Sequence, residues 1–165
     1  MNRASATYEN VLALPALLKK QIPPEWEDFN GHVNIQYYLA LVEQSGWPMF
    51  ESLGLGESYF RERRRGLFDL EHHLRYLAEL HVGDQVTVHS RMLDRSEKRL
   101  HGMMFILNRS RRQLSCTLEY ITSGADLDSR RTAPFPADAA ASFDEQIRQH
   151  ALLEWAPPVC GVMAA

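Results

Sequence analysis

The sequence has few cysteines, no long apolar run and no excess of basic residues, and each shortage excludes a class of protein. Two of the 165 residues are cysteines. Cys116 and Cys160 are too few for a disulfide framework, and no Cys/His spacing indicates a metal site. The longest apolar stretch is too short to span a bilayer. The net charge of −3 argues against a nucleic-acid partner, because phosphate binding needs an excess of Lys and Arg. We therefore expect a cytoplasmic protein.

The first half of the chain predicts an extended segment followed by one long helix. Residues 8–22 are apolar but contain a proline, which favours an extended or edge strand. A loop follows, PPEWEDFNG, rich in turn-forming residues. From Asn34 the apolar residues recur with helical spacing, and the Asn34 side chain can cap the first turn. Pro48 lacks the N–H that a helix needs, so we expect a kink or break there.

The second half alternates polar and apolar residues, as expected for strands. LFDLEHHLRYL is the first of four such segments, and its alternation predicts Phe68, Leu70 and His72 on one face and Asp69 and Glu71 on the other. Short links between the four segments predict an antiparallel meander. A C-terminal helix is predicted over 138–154.

These elements indicate an α+β domain in which a curved antiparallel sheet wraps a long central helix. We expect one domain over 1–165, with its core at about 8–136 and a C-terminal helix and tail at 137–165. Two such sheets usually pair edge to edge, which removes an exposed edge. A homodimer or a dimer of dimers is therefore expected.

The stretch EDFNGHVN, residues 27–34, puts a carboxylate and an imidazole at the start of the predicted helix. The first N–H groups of a helix have no internal partner and carry partial positive charge. They can stabilise a carbonyl oxygen that gains negative charge during a reaction. The candidate donors are the amides of Val33, Asn34 and Ile35, and Gly31 would let the backbone approach a substrate closely.

The motif D-x-N-G-H-V-N-x-x-Y-Y resembles that of hotdog-fold acyl-CoA thioesterases, the 4-hydroxybenzoyl-CoA thioesterase-like group. The resemblance spans roughly residues 20–136 and includes LEHHLRYLAELHVGDQVTV. KRLH at 98–101 and RRTAPFP at 130–136 resemble one branch, the thioesterases associated with carnitine and betaine catabolism. The resemblance implies a hotdog fold, a dimer, and hydrolysis of an acyl-CoA, with betainyl-CoA as one substrate. Coenzyme A enters as part of the substrate, and no separate cofactor or metal is expected.

The resemblance also implies that Asp28 is the nucleophile or the general base, two routes that the sequence does not separate. The alternative role for Asp28 is that of a turn or cap residue. His32 can hydrogen-bond the substrate or Asp28, or it can only fix the turn. Asn34 is a cap, a catalytic group, or both.

The strand cluster around Glu71 has similar alternatives. Glu71 is either a second acid acting across a dimer interface or the ion-pair partner of Arg75. His72 lines the acyl pocket or is a satisfied core histidine. A trimethylammonium acyl group would need acids and aromatic rings around it; the candidates are Trp26, Phe29, Tyr37, Tyr38, Trp47 and Glu119.

The basic run RERRR at 61–65 offers guanidinium groups for the phosphates of coenzyme A. Arg63, Arg64 and Arg65 are the candidates, with Arg130 and Arg131 as a second pair. The alternative is a solvated charged surface in both cases.

Three rival functions are open at this point. A hotdog hydratase or dehydratase would use a histidine with an acid, but no clear hydratase motif is present. A non-catalytic acyl-CoA binding protein would not need Asp28. A metal hydrolase using His72, His73 and Asp28 is disfavoured, because adjacent strand residues point to opposite faces.

Overall fold

The computed structural model describes residues 4–165, and within that range it contains four α-helices and eight β-strands. In chain order they are β1 Ala4–Ser5, α1 Tyr8–Leu12, β2 Leu18–Gln21, α2 Gln36–Ser52, α3 Glu57–Arg61, β3 Arg65–Tyr76, β4 Gln85–Arg95, β5 Arg99–Asn108, β6 Gln113–Asp126, β7 Arg131–Thr132, α4 Ala137–Ala151 and β8 Trp155–Ala156. A 3₁₀ turn at Pro24–Trp26 precedes the motif.

The segment predicted as one extended strand over 8–22 is only partly extended. Its first part is α1, which begins after a capping box: the Thr7 hydroxyl accepts the Asn10 N–H at 3.2 Å, and the Asn10 side chain accepts the Thr7 N–H at 3.1 Å. That reciprocal pair satisfies two N–H groups and favours a helical turn. The remainder forms β2, which is an edge strand as predicted.

Of the kink or break predicted at Pro48, the break is wrong, because helix α2 continues through that residue. Pro48 leaves the carbonyl of Gln44 without its usual helical donor. Gln44 is exposed to solvent, and water can satisfy its carbonyl there. The helix therefore extends over Gln36–Ser52 and is the long element around which the sheet curves.

The main sheet has the strand order β2-β4-β5-β6-β3, with β7 added to β6. All its pairings are antiparallel. The predicted meander holds for β4, β5 and β6, but β3 pairs with β6 and not with β4. The link at 77–84 crosses to the far side of the sheet, which leaves β3 as an open edge strand.

Strand β3 contains a bulge that overturns the predicted faces. Asp69 pairs with Thr122, yet Glu71 pairs with Ile121, so the extra residue between them is Leu70. A bulge of this kind inverts the alternation on one side of it. Asp69 and His72 therefore share the face that packs on α2. Phe68, predicted to share that face with His72, lies on the opposite face, as its pairing with Ser123 requires.

The two faces of the sheet bury different cores. The inner face packs on α2 through residues such as Met104, Leu118 and Leu41. The outer face is covered by α1 and the C-terminal segment, where Phe105 packs against Trp155. No helix within the described range is both long and apolar enough to cross a bilayer. The arrangement confirms the predicted α+β fold with a central helix wrapped by a curved sheet.

Candidate active site

The loop that holds Asp28 is a tight hydrogen-bonded turn. The Asp28 Oδ1 accepts the N–H of Asn30 at 2.8 Å, and its carbonyl accepts the N–H of Gly31 at 3.0 Å. The Asp28 N–H donates to the carbonyl of His32 at 2.9 Å. These bonds engage one carboxylate oxygen, and no hydrogen bond within residues 4–165 engages the other, Oδ2. Asp28 is thus a turn residue whose second oxygen is available for chemistry.

Gly31 and His32 close the same turn. Gly31 has φ of +79°, a conformation that residues with a Cβ rarely adopt, which accounts for glycine at this position. His32 Nδ1 lies 3.2 Å from the carbonyl of Val33 and donates to it, because a carbonyl only accepts. The distance from His32 Nδ1 to Asp28 Oδ1 is 3.9 Å, which is too long for the hydrogen bond considered from the sequence.

The start of α2 leaves one of the three predicted oxyanion donors free. The Val33 N–H donates to Leu80 at 2.8 Å and the Asn34 N–H donates to Trp26 at 2.9 Å. Both are occupied by protein carbonyls, so neither is available to a substrate in this structure. The Ile35 N–H has no partner among residues 4–165. The Asn34 side chain accepts the N–H of Gln36, the first residue of α2, at 3.1 Å, but the N-cap residue of the helix is Ile35 and not Asn34 as predicted.

The link at 77–84 fixes the start of α2 against the sheet. Its residue Leu80 is fully buried and accepts the Val33 N–H. The Leu80 N–H donates to the Tyr38 hydroxyl at 3.1 Å, and burial raises the pKa of Tyr38 to about 12. Tyr37 stacks on Trp26 with ring centroids 4.6 Å apart. Tyr37 and Trp26 therefore hold the loop and do not line either cavity described below.

Two neighbouring cavities follow the groove between α2 and the edge strand β3. The motif cavity, of about 350 Å³, lies at the helix start; its lining is His32, Val33, Ile35, Tyr38, Tyr76, Leu77, Ala78 and Glu79. The inner cavity, of about 290 Å³, lies farther along the helix; its lining is Leu39, Val42, Glu43, Gly46, Met49, Phe50, Asp69, His72, Met104, Leu118, Tyr120 and Thr122.

The inner cavity is apolar apart from a few polar groups, and sequence reasoning missed most of these. Glu43 comes from the exposed side of α2, and Asp69 comes from β3. Asp69 Oδ2 lies 3.4 Å from His72 Nε2. The contact with His72 holds the pKa of Asp69 below its usual value, so the carboxylate is charged at neutral pH. His72 is the one predicted side chain that reaches this cavity.

The sequence held only weak signals for the two acids. Glu43 is a polar residue in an otherwise apolar helical run, which is also how a solvated position looks. Asp69 was hidden by the bulge at Leu70, because strict alternation placed it on the wrong face. The hydroxyl of Tyr120 is buried in the cavity wall without a partner among the described residues, and burial raises its pKa.

Glu71, Arg75 and Glu119 lie on the outer face of the sheet and away from the inner cavity. The register pairs Glu71 with Ile121 and Arg75 with Thr117. No ion pair joins Glu71 to Arg75 in the described part of the chain. Glu119 is 1 % exposed and bonds His101 and the amide of Cys160. Burial pushes the pKa of Glu119 upward, but these hydrogen bonds outweigh it and keep that pKa below its usual value.

The basic run is paired with aspartates. Arg63 bonds Asp138, Arg64 bonds Asp128 at 2.9 Å, and Arg65 bonds Asp126 at 3.0 Å. These ion pairs favour the charged-surface alternative over phosphate binding. Arg130 and Arg131 instead line a separate surface pocket of about 390 Å³ beside Phe68 and Leu70.

The remaining aromatic candidates also lie outside the inner cavity. Trp47 packs on Phe60, with ring centroids 5.5 Å apart. Phe29, at the tip of the motif turn, is fully exposed.

A long helix wrapped by a curved antiparallel sheet is the arrangement of hotdog-fold proteins, and the acid-glycine turn lies at the start of that helix. Comparison with known proteins agrees. The chain belongs to the thioesterase-like superfamily, whose sequence profile matches residues 22–143. It is therefore an acyl-CoA thioesterase by family.

Individual relatives and one solved structure are similar to most of this chain. It is 29 % identical over 153 residues to a betainyl-CoA thioesterase of Pseudomonas aeruginosa, covering 93 % of this chain and 90 % of that protein. It is 26 % identical to an L-carnitine dehydrogenase/betainyl-CoA thioesterase of Rhizobium meliloti, covering 84 % of this chain but only 28 % of that longer protein. A Staphylococcus aureus protein solved in complex with CoA superposes with a TM-score of 0.80 at 25 % identity, over 92 % of this chain and 96 % of that one.

Proposed function

We propose that this thioesterase hydrolyses an acyl-CoA whose short acyl group carries a quaternary ammonium, as betainyl-CoA does. The observation that carries the proposal is the inner cavity, where the carboxylates of Glu43 and Asp69 enter an otherwise apolar space. A neutral fatty acyl chain gains no electrostatic stabilisation from these two carboxylates, which lie at the exposed rim of the cavity. A permanent cation is the natural counter-charge for them.

The rest of the cavity suits the methyl groups of such a cation. Phe50 and Tyr120 bring aromatic rings to the lining, and Leu39, Val42 and Met49 bring apolar surface. A desolvated cation over an aromatic face is stabilised by about 2 kcal/mol or more. The named activity of the Pseudomonas aeruginosa relative fits this chemistry.

Asp28 and the start of α2 carry out the thioester hydrolysis. Asp28 is held through Oδ1 by the Asn30 N–H, which leaves Oδ2 to attack the thioester carbonyl carbon or to deprotonate a water that does so. The carbonyl oxygen becomes an oxyanion and accepts the free N–H of Ile35 at the helix start. If Asp28 attacks, the thiolate of coenzyme A leaves an acyl–Asp28 anhydride, which water then hydrolyses to the free acid and the regenerated carboxylate. If water attacks, the thiolate leaves the free acid directly. On either route the thiolate takes up the proton that the attacking water gives up. Carboxylate and water supply all of this chemistry, so no cofactor is required.

Two copies of the chain are needed to complete the site. In one copy, Asp28 lines neither the inner cavity nor the motif cavity. The open edge strand β3 carries exposed apolar side chains, among them Phe68 at 66 %, Tyr76 at 50 % and Leu70 at 44 % exposure. Pairing of two β3 edges would cover them and bring the motif of one protomer to the groove of the other.

Two further expectations belong to the same proposal. Arg130 and Arg131 are the better candidates for the phosphates of coenzyme A, since none of the ion pairs within residues 4–165 includes them. A cytoplasmic location fits the two cysteines, both of which are free thiols.

A matched pair of substrates tests the charge of the acyl group directly. Betainyl-CoA and 3,3-dimethylbutyryl-CoA have nearly the same shape, but only the first is cationic. We expect kcat/KM for thiol release to be at least about tenfold higher with betainyl-CoA, which corresponds to about 1.4 kcal/mol of transition-state binding. Equal values, or a preference for the neutral substrate, would show that the two acids do not select a cation.

A further inference from the structure

A second cluster of reactive side chains lies on the outer face of the sheet, opposite the inner cavity. His73 of β3 and Glu119 of β6 are direct partners in the strand register. His101 of β5 approaches Glu119 from the other side, and Cys160 of the C-terminal segment lies over the strands. These residues are far apart in the sequence, so no motif spacing could have indicated the cluster. Thioester hydrolysis as described above uses none of them.

Glu119 is the centre of the cluster. Its side chain is 1 % exposed. One oxygen lies 2.8 Å from His101 Nε2, and the other accepts the N–H of Cys160 at 2.6 Å. No lysine or arginine within residues 4–165 forms an ion pair with this carboxylate. A buried carboxylate with no lysine or arginine paired to it is stabilised by a cation that binds there.

Three donor atoms of the cluster lie nearly as close together as the ligand atoms of a bound metal ion. A ring nitrogen of His73, a carboxylate oxygen of Glu119 and the Cys160 Sγ all lie within 4.8 Å of one another. Ligand atoms around a tetrahedral zinc ion stand roughly 3.3 to 3.8 Å apart, as bond lengths of about 2.0 to 2.3 Å require. Small rotations of the His73 and Cys160 side chains bring the three donor atoms to the spacing that zinc requires. Both side chains have room to rotate, because His73 is 44 % exposed and Cys160 lies outside regular secondary structure.

We propose that His73, Glu119 and Cys160 bind one zinc-class divalent cation. A thiolate, an imidazole and a carboxylate together favour zinc over calcium or magnesium. His101 bonds the second oxygen of Glu119 and so orients the ligand, in the way that outer-shell groups do at metal sites. The Cys160 thiol loses its proton to solvent on binding. The ion joins the C-terminal segment to β3 and β6 and leaves a fourth position open to water.

Cobalt tests the site, because a Co²⁺–thiolate bond has its own near-ultraviolet charge-transfer absorption. We expect the EDTA-treated full-length protein to bind one equivalent of Co²⁺ with that band, and Zn²⁺ to displace it. Cys160→Ser should abolish the band. Cys116→Ser should keep it, because Cys116 is buried elsewhere in the sheet. His73→Ala should weaken binding at least tenfold. His81→Ala, which removes an imidazole beside Glu79 and Asp84, should not.

Two results would overturn the proposal: no binding near one equivalent, or a thiolate band that survives Cys160→Ser. A second measurement guards against a misfolded variant. Zinc should raise the thermal unfolding midpoint of the wild-type chain but not that of Cys160→Ser. Equal shifts in the two proteins would also contradict a site at Cys160.

Discussion

At the scale of single residues, the inner cavity depends on two carboxylates that strict alternation and helical periodicity did not reveal. Glu43 and Asp69 enter it from different elements, and the His72 imidazole keeps Asp69 charged. We assign the two acids to recognition of the acyl group and Asp28 to the chemistry. Substitution of the two acids should therefore change substrate binding, whereas substitution of Asp28 should change turnover.

Removing the cavity charges should change substrate preference more than turnover. For Glu43→Gln and Asp69→Asn we expect KM for betainyl-CoA to rise about tenfold each, while kinetics with 3,3-dimethylbutyryl-CoA change little. Glu71→Gln is the matched control, since Glu71 lies on the outer face of the same strand. If all three variants lose activity equally with both substrates, the cavity acids are not recognition groups.

His150 gives the fold a pH dependence that is separate from the site. Burial, together with the nearby Arg91, lowers the pKa of His150 to about 4, while an unfolded histidine titrates near 6.5. Below pH 6.5 the unfolded chain binds more protons than the fold does. The contribution of His150 to the free energy of unfolding is therefore fully present above about pH 6.5 and is lost as the pH falls toward 4. The loss is on the order of 3 kcal/mol.

His150→Asn keeps an acceptor for the Met92 N–H, which His150 Nδ1 accepts at 2.8 Å, but cannot titrate. Urea unfolding at about pH 7 and about pH 4.5 should show a smaller loss of stability in the variant than in the wild type. Identical losses would mean that His150 is not the titrating group.

At the scale of elements, the sequence predicted regular structure well and irregular structure poorly. The helical spacing after Asn34 and the alternation of the strands predicted α2 and the main sheet. The capping box at Thr7, the bulge at Leu70 and the pairing of β3 with β6 were missed. Each of these depends on local hydrogen bonds or on distant chain segments, which a periodic pattern does not record.

The same contrast holds for the site. The turn EDFNGHVN was predicted to bring Asp28 to the helix start, and the structure explains the turn through Asn30 and Gly31. The sequence did not show that Leu80 and Trp26 would occupy two of the amides. Those bonds come from a crossover and a 3₁₀ turn, whose positions depend on the tertiary fold.

The hydrogen bond from Leu80 to Tyr38 should be what holds that crossover on α2. In Tyr38→Phe the buried Leu80 N–H loses its acceptor, so we expect about 1 to 3 kcal/mol lower stability in chemical unfolding. Tyr37→Phe is the matched control, because its hydroxyl makes only a long 3.4 Å contact to Glu25. Equal costs for the two variants would contradict a specific role for the buried bond.

At the scale of the whole molecule, the exposed apolar edge of β3 predicts self-association. Phe68→Glu puts a charge on that edge and should shift the mass in light scattering toward the monomer, with a parallel loss of thiol release. Leu152→Glu is the control, since Leu152 is 74 % exposed but follows α4, which packs on β4 and away from the β3 edge. A fully active Phe68→Glu monomer would show that one chain contains a complete site.

The most direct test of the account is thiol release from acyl-CoA by the Asp28→Asn variant. The amide oxygen still accepts the Asn30 N–H, so the turn and the fold should persist, as circular dichroism can verify. We expect kcat to fall at least about 100-fold with KM for betainyl-CoA nearly unchanged, because the variant keeps the cavity but loses the carboxylate. Near-normal turnover in Asp28→Asn would contradict the mechanism, and no thiol release by the wild type from any acyl-CoA would favour an acyl-CoA binding protein instead.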